Sequence, residues 1–171
     1  RGFSMRGFAL IGLSLACLRV SAAFSRGAGN CVSSSSFTHG KVPQPGDGGF
    51  TMVMSHGHHE RGATLTLEGK RPFKGVLLTV TDGRFVNLPS SLQFKDCDEL
   101  RGTQRTATHQ DARAKQSVTV EWEFPGGASQ LGDVEVSAVV VTDTQEWFWL
   151  NTTARAALHA LEVRSASEDL L

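Results

Sequence analysis

Ser117-Val118-Thr119-Val120-Glu121-Trp122-Glu123-Phe124 is the stretch on which the fold turns. Val118, Val120, Trp122 and Phe124 fall on one side of a period-two alternation, and Ser117, Thr119, Glu121 and Glu123 on the other. Strict alternation of this kind, rich in β-branched and aromatic residues, predicts a strand with one buried and one wetted face. Outward from it the same period recurs. Ala63, Leu65 and Leu67 alternate with Thr64, Thr66 and Glu68, while Phe73 to Val80 is a denser apolar run suited to a strand covered on both faces. Asp133 to Val141, Phe50 to Met54 and Glu146 to Leu150 complete six expected strands, with turn residues between them. No helical pattern intervenes and no repeat of about 20 to 50 residues is visible. Short strands without crossover helices predict two packed antiparallel sheets, an all-β immunoglobulin-like sandwich or a barrel.

Three stretches do not read as strands. Ser25 to Gly49 is rich in Ser, Gly and Pro, and its run Pro43-Gln44-Pro45-Gly46-Asp47-Gly48-Gly49 must be extended or turning, so it is expected on the surface. Leu88 to Lys115 is long and polar, and reads as a crossover loop holding short strands. Residues 153–171 carry helix formers (Ala154, Ala156, Ala157, Leu158, Ala160, Leu161, Glu162), which predict a short C-terminal helix fading into an acidic tail.

The 171 residues suit one domain of ordinary size plus a targeting segment, and 40% hydrophobic with 20% charged residues is a globular balance. From Met5 the chain reads as a secretory signal: Arg6, then the apolar run Phe8 to Leu18, then the small residues Ser21-Ala22-Ala23 for cleavage. Residues 1–23 are therefore expected to be a signal peptide, 24–152 the sandwich domain, and 153–171 the helix or tail. The apolar run is too short to cross a hydrocarbon core of about 30 Å, and the mature chain offers no other span. Export leaves Cys31 and Cys97 as an even pair in an oxidising compartment, since Cys17 goes with the signal, and they are expected to be bonded. Such a bridge would contribute about 4 kcal/mol in the chain-entropy model. Loss of Arg1, Arg6 and Arg19 also turns 17 cations against 17 anions into 14 against 17, a net charge of −3. A mildly acidic body has no electrostatic footprint for nucleic acid or an anionic membrane.

Linked blocks carry a family resemblance. Cys31, His39-Gly40, the run Pro43 to Phe50, Leu65 to Gly69 and Phe73-Lys74-Gly75-Val76-Leu77-Leu78 stand in the order found in the reeler (reelin N-terminal) domain family. Asp96-Cys97, Ala107-Thr108-His109, Val118 to Trp122, Phe124-Pro125, Gly132 to Val141 and Trp147-Phe148-Trp149 continue it, so the resemblance covers about residues 31–152. The family occurs at the start of reelin and spondins, in ferric-chelate-reductase-like membrane proteins, and alone in small secreted insect defence proteins. The resemblance implies an immunoglobulin-like β-sandwich and supports the Cys31–Cys97 bridge. Two departures are the absence of Tyr, with Phe50 standing where the family usually has an aromatic hydroxyl, and the shortened turn Asp82-Gly83-Arg84.

Candidate sites are few. His56-Gly57-His58-His59 places imidazoles at a spacing that binds zinc or copper, although a solvated turn also tolerates histidine and a structural site needs about four ligands. Asp96, Asp98 and Glu99 around Cys97 lack the glycine turn and alternation of an EF-hand, and read as a solvated loop. His109-Gln110-Asp111 with a serine could be drawn as a triad, but no Gly-x-Ser-x-Gly elbow accompanies it, and no catalytic residue or cofactor is assigned. Trp147 and Trp149 share a face and are candidates for an aromatic binding platform, with ordinary packing as the alternative. Asn151-Thr152-Thr153 is an acceptor sequence for an N-linked glycan.

The function expected from these readings is a secreted, extracellular, non-enzymatic recognition module for a protein, glycan or microbial surface, with innate defence as an analogy to the standalone relatives. Redox or metal handling, as in the ferric-chelate-reductase-like relatives, is the alternative from another class, and a structural adhesion component is a third.

Overall fold

Alternation sets the faces of the central strand. In β7 (Lys115–Glu123), Val118, Val120 and Trp122 are buried while Ser117, Thr119 and Glu121 are exposed. The computed structural model describes residues 26–31, 42–56, 62–97, 104–124 and 134–154. β7 lies between β2 (Gly62–Phe73) and β4 (Arg84–Val86), and β1 (Phe50–His56) completes a four-stranded sheet in the order β1-β2-β7-β4. The second sheet runs β5-β6-β3-β8-β9, from β5 (Leu92–Phe94) and β6 (Thr106–His109) through β3 (Gly75–Val80) to β8 (Glu135–Val141) and β9 (Trp147–Thr153). Every pairing among the described residues is antiparallel. The fold is thus an all-β, immunoglobulin-like antiparallel sandwich, and the expected C-terminal helix falls outside the described residues beyond Ala154.

One expected boundary and one strand missing from the expectation need correction. Phe73 does not open the strand that ends at Val80: it closes β2, where it pairs with Lys115, whereas Gly75 pairs with Val141 in the other sheet. The chain changes sheets at Lys74. Phe73 before it and Val76 two residues after it still lie in one core cluster, so the apolar run shows no break. The second correction is β4, which follows the turn at Asp82-Gly83 and pairs Phe85 with Trp122. Three residues are too few to show a period. Within the polar 88–115 stretch, β5 and β6 are the short strands expected of the crossover.

The interior lies between the sheets. Leu65, Leu67, Val120, Trp122 and Phe85 from the four-stranded sheet meet Val76, Leu78, Val80, Val136, Ala138, Val140 and Phe148 from the five-stranded one. Trp122 stacks on Phe124 with centroids 5.3 Å apart, and Phe50 sits edge-on to Phe73 at 5.9 Å. Gly83, at φ 76°, passes so close to Trp122 that an added Cβ would sit 2.5 Å from its indole nitrogen and 2.4 Å from the Glu123 carbonyl oxygen. Only glycine takes this left-handed conformation without strain and also leaves the indole room to donate to Asp82 O at 3.1 Å.

The sheet change is held by a buried amine. Lys115 Nζ donates to the carbonyls of Asp111 and Arg113, both at 2.8 Å, and to Asp111 Oδ1 at 3.1 Å, with Lys74 O at 3.4 Å. One of two depressed carboxylates, Asp111, is also bound by the Arg113 guanidinium and backbone N–H, which hold its carboxyl well below the usual range. The second, Glu146 on the β8–β9 hairpin, is lowered chiefly by the Arg71 guanidinium at 2.9 Å and then by the Thr142 hydroxyl. Arg71 in turn lies over the Phe148 and Phe50 rings at 5.1 and 5.8 Å, tying the end of β2 to the opposite sheet.

Candidate functional site

A sandwich offers a partner two outer faces and the openings between sheet edges, and here these surfaces differ in kind. On the outer face of the five-stranded sheet, Leu77, Val139 and Trp147 are buried, with Ala28, Val141 and Trp149 packed against them. This face is roofed in part by the N-terminal segment. Ala28 N donates to Thr108 Oγ1 at 2.8 Å, Gln93 Nε2 donates to Arg26 O at 2.9 Å, and Gln44 N donates to Trp147 O at 2.9 Å. The roof is anchored by the Cys31–Cys97 disulfide, whose Cα atoms are 5.5 Å apart across 66 residues of sequence.

The outer face of the four-stranded sheet is polar and, among the described residues, uncovered. Thr64, Thr66 and Glu68 of β2 line up with Ser117, Thr119, Glu121 and Glu123 of β7 and Arg84 of β4. Cross-strand bonds hold these side chains: Thr66 and Thr119 hydroxyls lie 3.0 Å apart, Arg84 binds Glu123 at 2.7 Å, and Asn87 Nδ2 donates to Glu121 Oε2 at 2.7 Å. Glu68, Glu121 and Glu123 against Arg84 and the exposed Lys70 leave the face mildly acidic. It suits a neutral or cationic partner and repels a polyanion.

At one side of the sandwich the edges β1 and β9 flank an open groove of about 420 Å³. Its wall includes Asp47, Thr51, Met52, Trp149, Asn151 and Thr152. Lys70 N donates to Gly49 O in the β1–β2 ladder, so by antiparallel alternation the backbone groups of Met52 and Met54 point away from β2 toward the free edge.

The structure distributes the sequence candidates unevenly. Cys31 and Cys97 are joined as expected. Trp147 is fully buried and Trp149 partly so, so the pair does not form an exposed platform: strand β9 turns both toward the roofed outer face. Asn151 is exposed in the groove wall, and its carboxamide makes no hydrogen bond among the described residues. His58, His59 and the side chain of His56 lie outside the described residues, as do Asp98 and Glu99. His109 is buried and its Nδ1 accepts from Val76 N at 3.2 Å, while Asp111 turns to Arg113 and Lys115, so the two serve separate neighbours.

Sequence reasoning did not single out the open face as a surface. Its signal was present in the polar positions of the two alternations, Thr64-Thr66-Glu68 and Ser117-Thr119-Glu121-Glu123, but their side-by-side placement needed the β2–β7 register. Asn87 left no signal, because its reach to Glu121 depends on a left-handed turn at φ 47°.

Comparison with known proteins yields one family model and several similar solved structures. A family model described as the Reeler domain matches residues 29–165. Among solved structures, the Reelin-N domain of F-spondin is similar at 16% identity, with 66% of this chain and 90% of that chain covered and a TM-score of 0.49. A human F-spondin reeler domain is similar at 13% identity over 66% of this chain and 92% of that chain, also with a TM-score of 0.49. No curated protein matches.

Proposed function

The chain belongs to the reeler domain family, and from that premise we propose that it is a secreted recognition module that binds an extracellular protein, glycan or microbial surface through the outer face of its four-stranded sheet. The observation that carries the reading is the contrast between its faces. One outer face is roofed and bonded over, while the other presents hydroxyls and carboxylates fixed by cross-strand bonds. A preordered polar face loses little side-chain freedom when a partner docks, which favours binding. The disulfide supports an oxidising, extracellular setting. The acid balance of the face favours neutral or cationic partners, and uncharged cell-wall polymers are the first class to test.

The test is a binding screen of the secreted, oxidised protein against insoluble chitin and β-glucan, with carboxylate-bearing peptidoglycan as the anionic comparison, and against zinc, with a variant carrying His56→Ala, His58→Ala and His59→Ala alongside. Saturable binding to a polymer that the histidine variant retains is the expected result. Zinc binding abolished in that variant, with no polymer bound, would replace recognition with metal handling.

A further inference from the structure

We propose that Asn151 carries an N-linked glycan whose first sugars lie in the groove between β1 and β9 and cover the free edge of β1. The inference rests on the export reading above, because only an exported chain meets the transferase, but not on the identity of any partner.

Three observations converge on it. Asn151 is exposed, makes no hydrogen bond among the described residues, and opens the acceptor triplet Asn151-Thr152-Thr153. It is itself part of the groove wall, so a sugar attached there enters the groove without a linker. The wall then supplies what an N-acetylhexosamine recognises: hydroxyls from Thr51 and Thr152 and the Asp47 carboxylate for its hydroxyl groups, and Met52 for its acetyl methyl.

Physical need points the same way. β1 reads Phe-Thr-Met-Val-Met-Ser-His, with no proline, no lysine and a regular seven-residue register to β2 that shows no bulge. Natural edge strands are usually blunted by one of those devices, because unpaired backbone groups recruit a second chain. The backbone groups of Met52 and Met54 that point outward have no partner among the described residues. A bulky hydrophilic group rooted across the groove would supply the protection that no described residue gives β1.

The experiment expresses the full chain behind an established secretion signal in a eukaryotic host, so that export does not depend on residues 1–23. The wild type is compared with Asn151→Gln and Thr153→Val by intact mass before and after peptide N-glycosidase, and by amide exchange across β1. A single glycan mass lost in both variants, together with faster exchange at Met52 and Met54 once the sugar is removed, is expected. An unmodified Asn151 in the secreted wild type would overturn the proposal, as would a glycan whose removal leaves β1 exchange unchanged. Secretion of the chain from its own leader, measured in parallel, reads the export expectation separately.

Discussion

The two outer faces of this sandwich both belong to antiparallel sheets, yet one behaves as a second core and the other as a surface. On the five-stranded sheet, Leu77, Val139 and Trp147 lie under a segment that the Cys31–Cys97 bridge and three hydrogen bonds hold in place. On the four-stranded sheet the equivalent positions are Thr66, Thr119 and Glu121, paired sideways with each other and with Asn87. The difference teaches that in a small sandwich an outer face is closed to a partner where a stapled segment covers it, and stays available where no described segment does. Area decides energy on the roofed face, since apolar burial is worth about 25 cal/mol per Å². On the open face, exposed pairs add little to stability and mainly fix geometry.

Substitutions on the two faces should therefore separate cleanly. Trp147→Ala, although on an outer face, is expected to cost about 3 to 5 kcal/mol, the range of a core aromatic. Denaturant unfolding checks this, and a loss below about 1 kcal/mol, the ordinary level for a point substitution, would mean that the roof is not a packed layer. Removing the staple comes next. Cys31→Ser with Cys97→Ser is expected to lower stability by about 2 to 4 kcal/mol, because the roof segment loses its anchor and the unfolded chain regains its freedom.

Acid should act through the flanks rather than through either face. Asp111 and Glu146 are both held below their ordinary values, by Arg113 and Arg71 respectively as the first cause. A depressed carboxylate contributes stability that is complete above its unfolded-state value and is lost as pH falls through the folded-state one. Midpoints should thus stay level from neutrality down to about pH 5 and fall below about pH 4. Asp111→Asn should make that fall shallower, and an equally steep fall in the variant would remove Asp111 from the explanation. Smallest of all, Thr119→Ala on the open face should change stability by no more than about 0.5 kcal/mol.

Much of this architecture was legible because period two is a strong signal where one face is wet and the other dry. β7 and β2 carried it over long alternations, and Trp122 was placed in the core by pattern alone. Phe73 was assigned to the wrong strand because a sheet change inside an apolar run alters partners without altering burial. β4 escaped because its three residues depend on Gly83 and Asn87 taking positive φ at its two ends. For the candidate surfaces, the disulfide followed from counting cysteines, and the family resemblance agreed. The burial of Trp147 did not follow, because nothing local tells a strand that another segment will roof its outer side.

The central claim is that the open face of the four-stranded sheet does the recognising. It is tested most directly by retention of the oxidised protein on insoluble cell-wall polymers, comparing wild type with a Thr119→Lys/Glu121→Lys variant and with Val42→Lys, whose side chain is 79% exposed elsewhere. The account predicts that the face variant loses retention while Val42→Lys keeps it, with both unfolding near the wild-type midpoint. Retention by the face variant equal to wild type would place recognition on another part of the molecule and contradict the account.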